Sequence, residues 1–176
     1  MDRGLHLFTL LAGLLFATAA APAVAAPTLA YPNKNAHGRV DIVPPVMLRK
    51  LEDLNFGCLI ATAAAGTAVM NPNNDVLTTT GGVLAAGCLS YAAQFEAVSP
   101  KKGVVIIRIP RNPITVTRSG GTETMTISNW TLEGNSNRVV AAQEPWAFRI
   151  GGTLNVKANQ VEGLYTGTFD VDIQYP

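Results

Sequence analysis

The chain has 176 residues, a formal net charge of +1 at pH 7, and 14% charged residues. This length suits one ordinary domain and its leader, and the near-zero charge lacks the basic excess typical of proteins that bind nucleic acid. Soluble domains carry about a quarter charged residues, so the low share here favours a surface that contacts a partner.

The N-terminus has the pattern of an export signal. Residues 5–26 are almost wholly apolar and end in Ala23-Val-Ala25, a small-residue cleavage sequence. The alternative is an uncleaved anchor helix, which Gly13 and Pro22 disfavour. We predict a signal peptide over residues 1–25, no transmembrane segment in the mature chain, and export to the periplasm, the cell surface or the medium.

Residues 26–43 form the next predicted unit, an N-terminal extension rich in Pro and Asn. Val40 and Ile42 alternate as in a strand, so we interpret the extension as a donor strand or an edge strand. Residues 44–176 are predicted to form a single domain.

Short apolar runs separated by turn signals fill that domain. Turn signals every eight to twelve residues or so, between β-branched and aromatic runs, predict an all-β fold, an antiparallel immunoglobulin-like sandwich. Ser119-Gly-Gly121 marks the clearest hairpin, Gly81-Gly82 and Gly151-Gly152 are interpreted as turns, and residues 61–65 as a short helical turn. The runs lie at residues 47–51, 58–61, 67–70, 88–98, 104–109, 114–118, 123–132, 146–150, 153–158 and 164–175.

Cys58 and Cys88 are the two cysteines. In an exported chain an even pair favours an intramolecular disulfide; two free buried thiols or an intermolecular bridge are the alternatives. Alternation from Leu89 to Ala97 would place Cys88 on the opposite face from the core, unless Gly87 or Cys88 occupies a bulge.

The last run alternates strictly and predicts one continuous strand over residues 164–175. Its apolar face is predicted to be buried, with Thr168, Asp170 and Asp172 exposed. The residues of the apolar face include Tyr165, Phe169, Val171, Ile173 and Tyr175.

Residues suited to catalysis or metal binding are scarce. His6 lies in the predicted leader and His37 in the extension, and no nucleophile motif or metal-ligand cluster accompanies them. Asp170 and Asp172 fit the solvated face of the last strand better than a Ca²⁺ site. We therefore expect no enzyme activity and no cofactor.

Five short motifs recur in the order of a known family. They are Leu54-Asn-Phe-Gly57, Tyr91-Ala-Ala-Gln-Phe95, Met125-Thr-Ile127, Gly151-Gly-Thr-Leu154 and Gly163-x-Tyr-x-Gly-x-Phe-x-Val-x-x-x-Tyr175. This set resembles a family of exported proteins of Gram-negative bacteria described as a domain of unknown function. The resemblance implies a signal peptide and an immunoglobulin-like sandwich, and no activity.

The C-terminal strand also resembles that of the fimbrial subunits of chaperone–usher systems, with Gly163 and the penultimate Tyr175 at matching positions. The resemblance implies a pilus subunit whose partners are copies of itself and a periplasmic chaperone and usher, with no nucleic acid. In this interpretation the assembly strand includes Gly163, Tyr165, Phe169, Val171, Ile173 and Tyr175.

Two other functions compete with the pilus subunit. One is a self-contained extracellular binding or adhesion module. The other is a small outer-membrane β-barrel, which the cysteine pair and the terminal Pro176 disfavour.

Overall fold

The computed structural model describes residues 39–40 and 42–176, and this part of the chain folds into antiparallel β-strands without a helix. The predicted signal peptide and most of the predicted extension lie outside the described residues. The strands are β1 (Met47–Glu52), β2 (Leu59–Asn71), β3 (Val76–Ala85), β4 (Ala93–Val98), β5 (Gly103–Arg108), β6 (Ile114–Arg118), β7 (Thr124–Leu132), β8 (Asn137–Val140), β9 (Pro145–Val156), β10 (Tyr165–Thr166) and β11 (Asp172–Gln174).

Strand β9 is the central strand of the larger sheet. Along one edge its first half pairs with β4 and its second half with β2, while its other edge pairs with β7. Strand β1 extends the sheet beyond β4, β3 extends it beyond β2, and β6 and β10 extend it beyond β7. Strands β11, β5 and β8 form a separate three-stranded sheet.

Two clusters of apolar side chains form the core. The first joins β2, β3, β6, β7 and the second half of β9. Its buried members are Phe56, Ala68, Met70, Val83, Ala92, Val116, Met125, Ile127, Leu154 and Val156. The second lies where β4 and the first half of β9 face β5. Its buried members are Ala93, Phe95, Ile107, Phe148 and Ile150. The predicted all-β, antiparallel sandwich is confirmed.

The predicted hairpin is confirmed, because β6 pairs with β7 around residues 119–121. The turns predicted at Gly81-Gly82 and Gly151-Gly152 are wrong, because both pairs lie inside strands. At Gly151 a Cβ atom would collide with the carbonyl oxygen of Met70 and come within 2.8 Å of the Pro72 ring. Gly151 is therefore required for close backbone approach, which is a common reason for glycine within a strand.

The helical turn predicted at residues 61–65 is also wrong, since these residues belong to β2. There the register with β3 shifts between Ala61 and Gly66, so the small residues form a bulge. The run predicted at residues 88–98 becomes a strand only from Ala93, and Leu89 is 84% exposed. Strands β3 and β8 were not predicted from the sequence.

The continuous strand predicted over residues 164–175 is wrong as well. Strand β10 pairs with β6 in the larger sheet, and β11 pairs with β5 in the smaller one. The segment between them passes from one sheet to the other. Its side chains still alternate between inward and outward directions, although its backbone is not paired with a strand along its whole length.

Candidate functional site

A groove of about 1000 Å³ lies over the first core cluster. Its floor is formed by inward-facing side chains of β6, β7 and β9, including Val116, Ile127 and Leu154. One wall contains residues 53–57 and the start of β2; the other contains residues 160–169. We call these the cysteine wall and the C-terminal wall. Both consist largely of irregular chain, so this cluster has a sheet on one side and loops on the other.

The groove has exposed apolar side chains at its rim. Ile60 is 51% exposed, Val161 43% and Leu164 69%. The charged side chains in its lining are Lys50, Asp53 and Glu162, and Lys50 pairs with Asp53 at 2.5 Å. The lining therefore combines an apolar floor with polar side chains, which include Asn55, Gln160 and Thr168.

The C-terminal wall is fixed at Gly163. Its φ of 143° favours glycine, and the Arg118 Cδ atom lies 2.9 Å from where a Cβ would be. The Arg118 guanidinium donates a hydrogen bond of 2.6 Å to Glu123, which lowers the pKa of the Glu123 carboxyl group and raises that of Arg118. The backbone N–H of Ser119 adds a bond of 2.7 Å to the Leu164 carbonyl.

Tyr165 closes the loop of the same wall. Its hydroxyl accepts a hydrogen bond from the Gln160 amide and donates one to the Val161 carbonyl, each 2.7 Å long. Its ring packs against the first core cluster. Tyr165 thus ties the rim to the floor of the groove.

The cysteine wall is fixed by the disulfide between Cys58 and Cys88, which confirms the predicted pairing. Asn55 and Tyr91 exchange two backbone hydrogen bonds of 2.9 Å nearby. The chain leaves β3 at Ala85, and Gly87 has a φ of 79°, so Cys88 lies in a loop rather than on a strand. This removes the conflict with the strand alternation.

The structure divides five of the six predicted assembly residues between two places. Gly163, Tyr165 and Phe169 line the groove, whereas Val171 and Ile173 pack against the second core cluster. Phe169 joins the two places, because its ring lies 4.7 Å from that of Trp130 and 6.4 Å from that of Phe95. The role of these residues in assembly stays a prediction.

Tyr175 lies at the far end of that segment. Its hydroxyl is 3.2 Å from the hydroxyl of Ser99, a residue with no exposed surface, and the Lys101 ammonium lies 5.3 Å from its ring centre. Within this chain Tyr175 therefore anchors the C-terminus to the turn between β4 and β5.

Sequence reasoning missed the cysteine wall as part of a site. The available signal was charge: Asp75 is the single charged residue between Asp53 and Glu96. Such a stretch is unusual for exposed loops and strands, and it marks the β2–β3 region, of which the start of β2 lines the groove.

Side chains suited to catalysis or metal binding are sparse in residues 39–40 and 42–176. No cluster of three or more His, Cys, Asp or Glu side chains there could hold a metal ion, and no helix there could cross a membrane. Asp170 and Asp172 are exposed, as predicted for the wet face. Asp172 accepts a hydrogen bond of 2.5 Å from Gln174. His6 and His37 lie outside the described residues.

Comparison with protein families decides the relationship. A family model described as a domain of unknown function, DUF4402, matches residues 46–175. The chain belongs to the DUF4402 family. The match covers all eleven strands described above, so both walls of the groove are part of the DUF4402 domain. Neither the curated proteins nor the solved structures include a match.

Proposed function

We propose that this DUF4402 protein is an exported, non-enzymatic structural subunit of a pilus-like surface assembly, built by strand complementation. The groove is the observation that supports the proposal. At the groove, one side of the first core cluster is covered by loops and not by a sheet, as in a sandwich that lacks a strand. An added strand from a neighbouring copy would complete that layer.

The chemistry of the groove suits an extended peptide. In strand addition, main-chain hydrogen bonds supply affinity and alternate side chains enter pockets that set the register. Here the floor is apolar and suited to alternate side chains, and the walls are largely irregular chain whose backbone could pair with an added strand. The scarcity of ionisable groups in the lining favours binding over catalysis.

The disulfide and the predicted leader support the exported location. Disulfides persist in oxidising compartments such as the periplasm and the cell surface. The partners in this proposal are copies of the chain and, during export, a periplasmic chaperone and usher. The immunoglobulin-like connectivity belongs to the same proposal.

A self-contained extracellular binding module is the second candidate. The observation that favours it is the size of the groove, which reaches the range of about 300–1,000 Å³ typical of small-molecule sites. An apolar ligand could then occupy the space instead of a strand, and the protein would act as a monomer.

The proposal predicts multimers that depend on the groove rim and on the N-terminal extension. Leu164→Arg places a charge at the rim and should reduce multimer formation. Leu89→Arg is the matched control, because Leu89 is exposed and does not line the groove. Deletion of residues 26–38 should abolish the multimers that form through the groove, with the fold intact. Size-exclusion chromatography with light scattering measures the size of the multimers, and circular dichroism checks the fold.

Two outcomes would contradict the proposal. One is that multimers persist unchanged in the deletion variant. The other is that Leu164→Arg and Leu89→Arg have equal effects. A monomeric protein that binds an apolar fluorescent probe, with binding lost in Leu164→Arg, would favour the binding module.

A further inference from the structure

The edge strands of the described chain differ sharply in how they are protected. Unpaired edges invite pairing with another chain, and proteins counter this with short strands, charges or bulges. Strands β8, β10 and β11 have four, two and three residues. Strand β1 carries Arg49, Lys50 and Glu52 and has a register shift. Each of these edges has at least one such protection.

Strand β3 is the exception over Val76–Thr80, which lies outside the bulge in its pairing with β2. It has ten residues, and within the described chain it pairs with β2 alone. Its sequence from Val76 to Thr80 is Val-Leu-Thr-Thr-Thr, without charge or proline. Val76 is 50% exposed, and Thr78 and Thr80 are exposed. Val and Thr are strong strand formers, so the edge is well suited to accept another strand.

The surroundings of β3 are equally free of charge. Asp75, which precedes the strand, pairs with Arg149 at 2.7 Å and accepts a hydrogen bond from the Ala92 backbone. The neighbouring strand β2 has no charged residue. An approaching strand would therefore meet neither a repulsive charge nor the cost of desolvating one.

We propose that β3 pairs edge to edge with β3 of a second copy, antiparallel across a twofold axis near Thr78. Twofold pairing brings like residues together, which is unfavourable for charged residues and acceptable for neutral Thr and Val. Strand β1 fails that requirement and β3 meets it. This charge argument is what favours a second copy over an unrelated partner.

The paired sheet would continue a sheet face that already carries a row of polar side chains. On one sheet face the register places Thr115, Thr126, Asn155, Thr67 and Thr80 in line across β6, β7, β9, β2 and β3. The hydroxyl groups of Thr67 and Thr80 already lie 2.7 Å apart. With the axis at Thr78, Thr80 would lie opposite Val76 of the second copy and Thr78 opposite its own counterpart, so the second copy would extend this face with uncharged side chains.

This contact is separate from the groove, which β3 does not line. It needs neither the N-terminal extension nor the groove rim. Deletion of residues 26–38 therefore leaves a β3-paired dimer intact, whereas groove-based multimers are lost. The two proposals can fail independently.

The test uses Thr78→Lys in the exported, disulfide-bonded protein. Two lysines would face each other across the axis, and we expect the dissociation constant of the dimer to rise about tenfold or more. Thr115→Lys is the control, because Thr115 is exposed on the same face but lies in β6, which pairs with β7. Sedimentation velocity from micromolar to near-millimolar protein measures the association, on the deletion variant as well.

Cysteine cross-linking gives a second readout that does not depend on the lysine variant folding. Directly opposed strand residues have Cβ atoms about 4.5–5.5 Å apart, close enough for mild oxidation to link Thr78→Cys dimers. Thr115→Cys should stay unlinked. A monomeric wild-type protein throughout the range, an unchanged dimer in Thr78→Lys, or equal cross-linking of the two cysteine variants would overturn the proposal.

Discussion

At the residue scale, Phe169 illustrates how the C-terminal segment holds the two cores together. Its ring contacts Trp130 beside the groove and Phe95 in the second core cluster. The alternation of apolar residues predicted that Phe169 faces inward, and this orientation is confirmed. The segment is partly rather than fully buried, because one side of it borders the groove.

Replacing Phe169 by Ala should lower the free energy of unfolding by about 2–4 kcal/mol, toward the low end for a phenylalanine because the ring is half-buried. Asp170→Ala is the neighbouring control on the wet face, and its effect should stay below about 0.5 kcal/mol. Urea melts of both variants provide the comparison. Equal losses in the two would refute the assignment of the faces.

Glu123 makes the stability of the groove end depend on pH. Its pKa is lowered in the folded protein by the hydrogen bond from Arg118, so its contribution is present above the unfolded-state pKa. That contribution is lost as the pH falls through the lower folded-state value, beginning below about 4.3, the usual pKa of a glutamate.

Glu123→Gln should therefore be less stable than the wild-type protein at neutral pH, and the difference should shrink as the pH falls below the usual glutamate range. Thermal melts of both proteins from neutral to acid pH measure it. A difference that is constant over the whole range would show that the ion pair does not contribute.

At the element scale, β9 depends on a glycine that resembles a turn signal in the sequence. Gly151→Ala should strongly destabilise the fold, because the added methyl group would collide with the Met70 carbonyl in β2. Gly103→Ala is the control: no atom lies within 4 Å of its added methyl group. Denaturant melts should show a large loss for the first and a change within about 0.5 kcal/mol for the second. Similar values for the two would contradict the close-approach argument.

The elements could be predicted where periodicity and turn chemistry agree. The β6–β7 hairpin satisfies both, since its strands alternate and Ser-Gly-Gly joins them. Glycine pairs misled the prediction at Gly81 and Gly151, because the same residue permits a turn or a close backbone contact. The break at residues 167–171 was beyond prediction, since alternation reports the direction of side chains and not the strand that pairs with them.

At the scale of the whole molecule, the low charge content predicted partner surfaces but not their positions. The structure locates the charge-poor region in the β2–β3 hairpin and along one wall of the groove. The sequence singled out three residues of the C-terminal wall of the groove, Gly163, Tyr165 and Phe169. The cysteine wall depends on long-range pairing between residues 55 and 91, which no local pattern reveals.

The position of β9 also determines how the domain unfolds. Phe148 and Ile150 in its first half belong to the second core cluster, and Leu154 and Val156 in its second half belong to the first. If either cluster loses its order, β9 is disturbed, and the other cluster loses part of its packing as well. We therefore expect the two cores to unfold as one cooperative unit, with partial opening confined to the outer strands and the loops over the groove.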